Sequence, residues 1–128
     1  MMEPDLRAKA ALFRVLGHPV RLSILLELTA GPKCVTDIQE LVRIQQANVS
    51  QHLAVLRHER IVDFHEEGKL RCYYIVRPSL VRTVLRLIRG DFPVVERSKQ
   101  AVRQASRRRR TLEAADGKPV ICESQCRR

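Results

Sequence analysis

Apolar residues recur at helical spacing in two consecutive stretches at the start of the chain. The first stretch runs from residue 4 to about residue 16, where Gly17 interrupts the pattern. Its repeated residues are Leu6, Ala10, Phe13 and Leu16. The second stretch begins at Pro19, a residue suited to a first helical position, and ends at Gly31 and Pro32. Its repeated residues are Val20, Ile24, Leu25 and Leu28. We predict two helices, the first with one buried stripe and the second at the centre of the core.

A short helix and a longer helix are predicted next, with a brief turn at residues 43–45 between them. Thr36 and Gln39 have the spacing of a capping box, so the short helix is expected to start there and to run to about Arg43. The longer helix has an inward apolar stripe and an outer face that is polar and nearly uncharged. The stripe is formed by Val49, Leu53 and Leu56, and the outer face includes Gln46, Asn48, Gln51 and His52.

The pattern changes to short strands after the fourth helix. Residues 61–65 and 70–76 are rich in β-branched and aromatic side chains, and Gly68 lies in the charged segment between them. They predict a β-hairpin. Pro78 then ends the second strand, and a fifth helix follows that is more apolar than one small domain can cover, so we expect it in a dimer interface. Its apolar residues are Leu80, Val81, Val84, Leu85, Leu87 and Ile88.

The predicted fold is mainly α with a small β-hairpin (α+β), in the order α-α-α-α-β-β-α, followed by a basic C-terminal extension. This order is that of a winged helix-turn-helix. We expect residues 1–92 to form the DNA-binding and dimerisation domain. Residues 93–128 form a basic extension, helical or ordered only on a partner, and a tail with two cysteines.

Charge and cysteine content narrow the function. The 128 residues carry 24 Lys and Arg against 14 Asp and Glu, a net charge of +10, which favours a polyanionic partner and double-stranded DNA first. No apolar run is long enough to span a bilayer, and the N-terminal residues do not resemble a signal peptide. We therefore expect a cytoplasmic protein that does not act on membranes. In that reducing compartment the four cysteines are expected to be thiols, metal ligands or redox sensors.

The polar helix face and the hairpin supply candidate DNA contacts. Gln and Asn side chains can bond adenine at two points in the major groove, and Ser can donate or accept. Candidates for bases and nearby phosphates are Gln45, Gln46, Asn48, Ser50, Gln51 and His52. Candidates for backbone phosphates are Arg57, Lys69 and Arg71. A solvated helix face with a charged hairpin tip would show the same residues, but helix, turn, helix and hairpin in this order favour DNA binding.

From about Phe13 to Val76 the chain resembles the ArsR/SmtB family of winged-helix bacterial repressors. The resemblance is carried by LGHPVRLSILLEL, CVTD, IQQANVSQHLAVLRHERIV and EEGKLRCYYIV. It implies a homodimer with the fifth helix, and often the first, at the interface, and two recognition helices on an inverted-repeat operator. It also implies repression that is relieved when a metal, a metalloid or a thiol oxidant reaches a sensor site.

The sensor residues differ from those of this family. Its arsenic and cadmium sensors often carry Cys-Val-Cys-Asp, whereas this chain keeps only Cys34 of that pair because Thr36 replaces the second thiol. The family's other common site binds zinc through pairs of Asp and His on the fifth helix. These pairs are also missing from this chain. Cys122 and Cys126, four residues apart, offer a substitute. Together with Cys34 they predict a three-thiolate site for As(III) or Sb(III), with other thiophilic ions as alternatives.

Other functions use the same residues differently. Two nearby thiolates can close into a disulfide or polysulfide, which would make the protein a redox- or persulfide-responsive repressor of the same fold. A small cysteine-dependent oxidoreductase is the alternative from another class, but the chain has no Cys-x-x-Cys and no glycine loop for phosphate, so we predict that it is not an enzyme. An architectural DNA-binding protein would leave the cysteines unexplained. Cys72 is interpreted as a small packing residue.

Overall fold

The computed structural model describes residues 4–117. The chain divides into two compact units after Asp91, and each is described by itself. The elements of the first unit are α1 (Leu6–Leu16), α2 (Pro19–Leu28), β1 (Lys33–Cys34), α3 (Val35–Val42), α4 (Gln46–His58), β2 (Val62–Glu67), β3 (Leu70–Ile75) and α5 (Pro78–Arg89). The second unit contains α6 (Lys99–Ala115). The predicted winged helix-turn-helix is confirmed. Within residues 4–117, no helix is long and apolar enough to cross a membrane.

The first helices start at side chains that satisfy free backbone amides. The Asp5 carboxylate accepts from the N–H groups of Arg7 and Ala8 at 3.1 and 3.3 Å. Nδ1 of His18 accepts from the N–H of Val20 at 3.1 Å, and Pro19 occupies the first turn of α2. These caps account for helix boundaries close to those that the sequence predicts.

The predicted capping box at the start of the third helix is wrong by two residues. Helix α3 begins at Val35 with Cys34 as its N-cap, and the Asp37 carboxylate accepts from the N–H of Cys34 at 3.3 Å. The physical reason is strand β1, in which Lys33 and Cys34 pair with β3, so that the helix begins directly after Cys34. A two-residue strand is too short to leave a periodic pattern in the sequence.

The core lies where α2, α3 and α4 meet the inner side of the sheet. Ile24, Leu25, Leu53 and Leu56 are fully buried there, together with Val49, so the predicted stripes of α2 and α4 are confirmed. The predicted stripe of α1 is correct at Leu16 and wrong at Leu6, Ala10 and Phe13. Leu6 and Phe13 are 74% and 67% exposed, whereas the buried residues of that helix are Leu12 and Leu16. Apolar side chains lie all around α1, so their spacing alone did not identify the buried face.

The sheet has three antiparallel strands in the order β1-β3-β2. The hairpin turns at Gly68 and Lys69, where Gly68 has a φ of 62°, a left-handed conformation that glycine adopts without strain. In the hairpin, Phe64 lies opposite Tyr73, and His65 lies opposite Cys72. On the other side of β3, Cys34 also lies opposite Cys72.

Helices α5 and α6 differ in their burial. Val81 and Leu85 attach α5 to the core, while Leu87 and Ile88 remain 52% and 47% exposed. In the second unit, the basic segment contains helix α6, which begins at Lys99 after the N-cap residue Ser98 and has no buried residue. Of the two interpretations that the sequence left open for this segment, the structure shows the helical one.

Candidate nucleic-acid interface and thiol cluster

A groove of about 370 Å³ lies between α4 and the hairpin. Side chains from one face of α4 form one wall, because residues four apart on a helix share a face, and hairpin side chains form the other. The groove brings together five of the nine predicted DNA-binding residues, namely Gln46, Ser50, Arg57, Lys69 and Arg71. All five are exposed. Polar groups on the helix wall therefore face a basic hairpin wall.

Phe64 organises the basic side of this groove. The guanidinium carbons of Arg57 and Arg71 lie 4.4 and 4.7 Å from the centre of its ring, within the range of cation–π attraction. Its ring also packs against Tyr73 with a centroid separation of 5.3 Å. The arginines are thus held in place by an aromatic surface that sequence reasoning had not assigned to the site.

Both arginines also contact carboxylates. Nε of Arg57 donates to Asp63 at 3.0 Å, and Nε of Arg71 lies 3.7 Å from the carboxylate of Glu66. The bond from the backbone N–H of Phe64, followed by that from Arg57, lowers the pKa of Asp63 below its ordinary value. The ion pairs are solvent-exposed, so a phosphate could exchange with the carboxylates at small cost.

The remaining predicted contacts divide into two groups. Gln45, the N-cap residue of α4, and Asn48 and Gln51 on the helix are exposed outside the groove lining. His52 is half-buried, and the expectation that it points outward is wrong. Its ring lies 4.5 Å from that of His18, and its Nδ1 is 3.3 Å from Nη1 of Arg21. Its position on α4 turns it towards α2, which packs against that side of the helix.

The environment of His52 disfavours its charged form. Burial lowers the pKa of His52 from the usual 6.5, and the nearby His18 and Arg21 lower it further. Arg21 in addition donates through Nε to the carbonyl of Val15 at 2.6 Å, so it binds the end of α1 to α2. This cluster connects α1, α2 and α4 through side-chain contacts. Sequence reasoning did not identify it.

A second cluster contains thiol, imidazole and carboxylate groups. Sγ of Cys34 lies 2.8 Å from Sγ of Cys72, and both are free cysteines. Ligand atoms of His65, Glu67 and Cys72 all lie within 4.8 Å of one another. The contact with Cys34, followed by burial, raises the pKa of Cys72 to about 11. Cys34 was predicted to pair with Cys122 and Cys126, which lie outside the described residues 4–117.

One signal in the sequence could have located part of this cluster. A hairpin that turns at Gly68 and Lys69 places residues at equal distances from the turn opposite each other, which pairs His65 with Cys72. The interpretation of Cys72 as only a packing residue overlooked this register. Cys72 is buried, but it lies between Cys34 and His65.

Comparisons with known proteins identify the family. Residues 18–63 match the model of the bacterial regulatory protein, arsR family. The chain is 32% identical over 80 residues to the HTH-type transcriptional repressor SmtB of Mycobacterium tuberculosis, a match covering 62% of the chain and 59% of that relative. The chain thus spans less than two thirds of SmtB.

Two further relatives are matched over more of their length. The biofilm growth-associated repressor of Agrobacterium fabrum is 32% identical over 83 residues, which cover 65% of the chain and 71% of that protein. The crystal structure of M. tuberculosis Rv0081 superposes with a TM-score of 0.61 at 31% identity, covering 69% of the chain and 88% of that structure. The two curated relatives are named as repressors and not as enzymes. The chain belongs to the ArsR family of bacterial regulatory proteins.

Proposed function

We propose that the protein is a dimeric transcriptional repressor that binds an inverted-repeat operator in double-stranded DNA. The observation that carries the proposal is the groove between α4 and the hairpin, which combines Gln46, Ser50 and Arg57 on the helix wall with Lys69 and Arg71 on the hairpin wall. The net charge of +10 and membership of the ArsR family support it.

The exposed residues of α4 and the hairpin have different tasks in this proposal. Side chains of α4 read base edges in the major groove, since their amide and hydroxyl groups match its donors and acceptors. These are Gln45, Gln46, Asn48, Ser50 and Gln51. Arg57, Lys69 and Arg71 bind backbone phosphates and set the register without reading sequence. His52 supports α4 from the side of α2.

Dimerisation is supported by apolar side chains that a single chain leaves uncovered. Leu6 and Phe13 on α1 and Leu87 and Ile88 on α5 are each about half exposed or more. Large apolar side chains grouped on a surface mark interaction sites. We propose that α5 and α1 pair with the same helices of a second copy, which would present two α4 helices to the two half-sites of an operator.

The inducer is proposed to be a thiophilic species, with As(III) or Sb(III) held by Cys34, Cys122 and Cys126 as the first candidate. Half-buried Cys34 remains accessible at the start of α3, beside the α3–α4 pair that would carry the DNA contacts. An ion held there would bias the position of α3 and thereby weaken DNA binding.

A thiol-redox response is the second candidate, and the 2.8 Å separation of the Cys34 and Cys72 sulfurs favours it. Oxidation would form one S–S bond and remove two electrons and two protons from the two thiols. With hydrogen peroxide as the oxidant, these reduce its O–O bond and yield two waters. The disulfide would join β1 covalently to β3.

Fluorescence anisotropy tests the repressor proposal. A labelled duplex covering the region upstream of the protein's own gene is titrated with protein, against a scrambled duplex of equal length and composition. We expect Gln46→Ala to weaken specific binding roughly tenfold, as loss of a bidentate base contact does, and to leave scrambled-duplex binding unchanged. Arg82→Ala removes an arginine that lies outside the groove and serves as the charge control. Equal affinity of the wild type for both duplexes would contradict operator recognition by this sequence.

The same assay separates the inducers. As(III), Sb(III), Cd(II), Zn(II), peroxide and a persulfide donor are added in turn to the protein–duplex complex. Release by As(III) that is lost in Cys122→Ser/Cys126→Ser would support the three-thiolate site. Release by peroxide that is lost in Cys72→Ser would support the redox candidate instead. If none of these species weakens DNA binding, the thiol-sensor proposal fails.

A further inference from the structure

Three strands bring metal-binding side chains into one row across the sheet. Cys34 on β1 lies opposite Cys72 on β3, and Cys72 lies opposite His65 on β2. Residues directly opposite each other on neighbouring strands project from the same face of a sheet. Glu67 lies two residues beyond His65 on the same strand and therefore on the same face. The row is a consequence of strand register: the hairpin turn pairs His65 with Cys72, and the pairing of β1 with β3 adds Cys34.

The distances make this row a connected set of donor atoms. Ligand atoms of His65, Glu67 and Cys72 lie within 4.8 Å of one another, and Nε2 of His65 is 3.8 Å from Oε1 of Glu67. The sulfur of Cys34 adjoins that of Cys72 at 2.8 Å. Three donors thus lie within mutual reach, and the sulfur of Cys34 adjoins one of them, which brings two sulfur, one nitrogen and one oxygen donor into one part of the first unit.

The number and chemical types of these donor atoms favour some thiophilic ligands over others. A disulfide would use only the two thiols and leave the imidazole and the carboxylate without a role. As(III) bound by three thiolates would lack its third sulfur within the row. Zn²⁺ takes four ligands in tetrahedral geometry from cysteine, histidine and carboxylate side chains, and the row offers four of these.

We propose that Cys34, Cys72, His65 and Glu67 form a binding site for Zn²⁺ or a divalent ion of similar softness on the β1-β3-β2 sheet. The site differs from the three-thiolate site proposed above because it requires neither Cys122 nor Cys126. It also stands independently of the repressor function, since it rests on the geometry of the sheet.

An ion bound by all four side chains sets the distances that their donor atoms must reach. With Zn–S bonds of about 2.3 Å, tetrahedral geometry places two sulfurs roughly 3.8 Å apart, so the sulfurs of Cys34 and Cys72 must separate by about 1 Å. With bonds of about 2.0 Å, the nitrogen of His65 and the oxygen of Glu67 come to roughly 3.3 Å. Cys34 has the longest way to reach, because its strand β1 is separated by β3 from His65 and Glu67 on β2.

The surroundings suit an ion that arrives from solvent. His65 and Glu67 are exposed, Cys34 is half-buried, and Cys72 closes the inner side of the site. Asp37 accepts a bond from the N–H of Cys34 and so restrains that residue at the start of α3. A carboxylate that orients a ligand residue through a hydrogen bond is a common feature around protein-bound metals.

Titration of the reduced full-length protein with Co²⁺ tests the site, because tetrahedral Co²⁺ with sulfur ligands absorbs visibly and competition with Zn²⁺ then gives the zinc affinity. We expect one Co²⁺ per subunit with tetrahedral bands and a sulfur-to-metal charge-transfer band. Cys72→Ser and His65→Gln should weaken binding by more than the roughly 10- to 100-fold that outer-sphere changes cause. His65 is exposed, so its variant tests the site even if Cys72→Ser fails to fold.

Two matched variants complete the test. Glu66→Gln changes the neighbour of Glu67 on the opposite face of the strand and should leave Co²⁺ affinity unchanged, whereas Glu67→Gln should weaken it. Cys122→Ser/Cys126→Ser should keep the full Co²⁺ spectrum. Absence of Co²⁺ binding by the wild type, or loss of it in the Cys122→Ser/Cys126→Ser variant, would overturn the site, as would unchanged binding by His65→Gln. DNA affinity measured in chelator reports separately on the repressor function.

Discussion

The two faces of the β2-β3 hairpin carry different chemistry. One face holds the ring of Phe64, stacked on Tyr73 and contacted by Arg57 and Arg71, and it borders the groove with α4. The other face holds His65, Glu67 and Cys72, which adjoins Cys34 on β1. Cationic side chains suited to phosphate thus lie on one face, and ligands suited to a cation lie on the other.

Strand geometry makes this separation possible within a few residues. Successive side chains of a strand project from opposite faces, so neighbours such as Phe64 and His65 serve different sites. The same geometry also connects the sites, because a ligand that moves β2 or β3 on one face moves the residues of the other.

Exchanging the neighbours Phe64 and His65 should abolish the chemical difference between the two faces of the hairpin. In the double variant Phe64→His/His65→Phe, the imidazole leaves the metal-binding row and the ring leaves the arginines. We expect Co²⁺ affinity to fall by more than roughly 100-fold and the free energy of unfolding to fall by less than the roughly 3 kcal/mol that loss of a fully buried ring costs, because Phe64 is half-buried. Co²⁺ titration and urea denaturation measure the two effects. Retained Co²⁺ binding would show that the faces are not distinct.

Phe64→Leu should alter one face alone. Without the ring, Arg57 and Arg71 lose their cation–π contacts, each worth about 0.5–1 kcal/mol at exposed sites, and Tyr73 loses an aromatic neighbour. We expect a loss of about 1–2 kcal/mol in the free energy of unfolding and no change in Co²⁺ affinity. A fall in Co²⁺ affinity comparable to that of His65→Gln would contradict the assignment of Phe64 to the groove face.

Arg57→Gln should have a smaller effect on stability. Its ion pair with Asp63 is exposed and worth at most about 1 kcal/mol. Its loss should mainly affect DNA binding, where one fewer phosphate contact reduces the slope of log affinity against log salt by about 0.9. Anisotropy titrations at several salt concentrations measure this slope. A slope equal to that of the wild type would exclude a phosphate contact by Arg57.

The smallest effect is expected at His52, which lies on neither face of the hairpin. Its folded-state pKa is below the usual 6.5, so the unfolded chain takes up a proton before the folded protein does as pH falls. Stability should therefore decline as pH drops through about 6.5 and level off below the folded pKa. His52→Gln should make this decline shallower in urea denaturation between about pH 7.5 and 5.5. An equally steep decline in the variant would assign it to other groups.

The main elements of the fold could be predicted because each carried a local signal. The stripe of Val49, Leu53 and Leu56 identified α4, and β-branched and aromatic residues on either side of Gly68 identified the hairpin. Two errors have physical causes. Helix α1 has apolar residues on more than one face, so Leu6 and Phe13 were assigned to the core. Strand β1 depends on pairing with β3, which a two-residue segment does not encode by itself.

The two sites differ in how far the sequence predicts them. Gln46 and Ser50 lie four apart on one helix, so their shared face follows from local spacing. The contacts of Phe64 with Arg57 and Arg71, and of His52 with Arg21, join separate elements and required the folded structure. The pairing of Cys34 with Cys72 links residues 38 apart in sequence through the short β1 strand. Tertiary contacts of this kind leave no spacing pattern.

A comparison of Lys69→Ala with His65→Gln tests the central claim most directly. Each variant is measured for duplex affinity in the presence of a chelator and for Co²⁺ affinity in the absence of DNA, alongside the wild type. We predict that Lys69→Ala weakens DNA binding and lowers the salt slope by about 0.9 while it keeps Co²⁺ affinity, and that His65→Gln does the reverse. If both variants lose both activities, or if His65→Gln loses only DNA binding, the hairpin does not carry two separate sites.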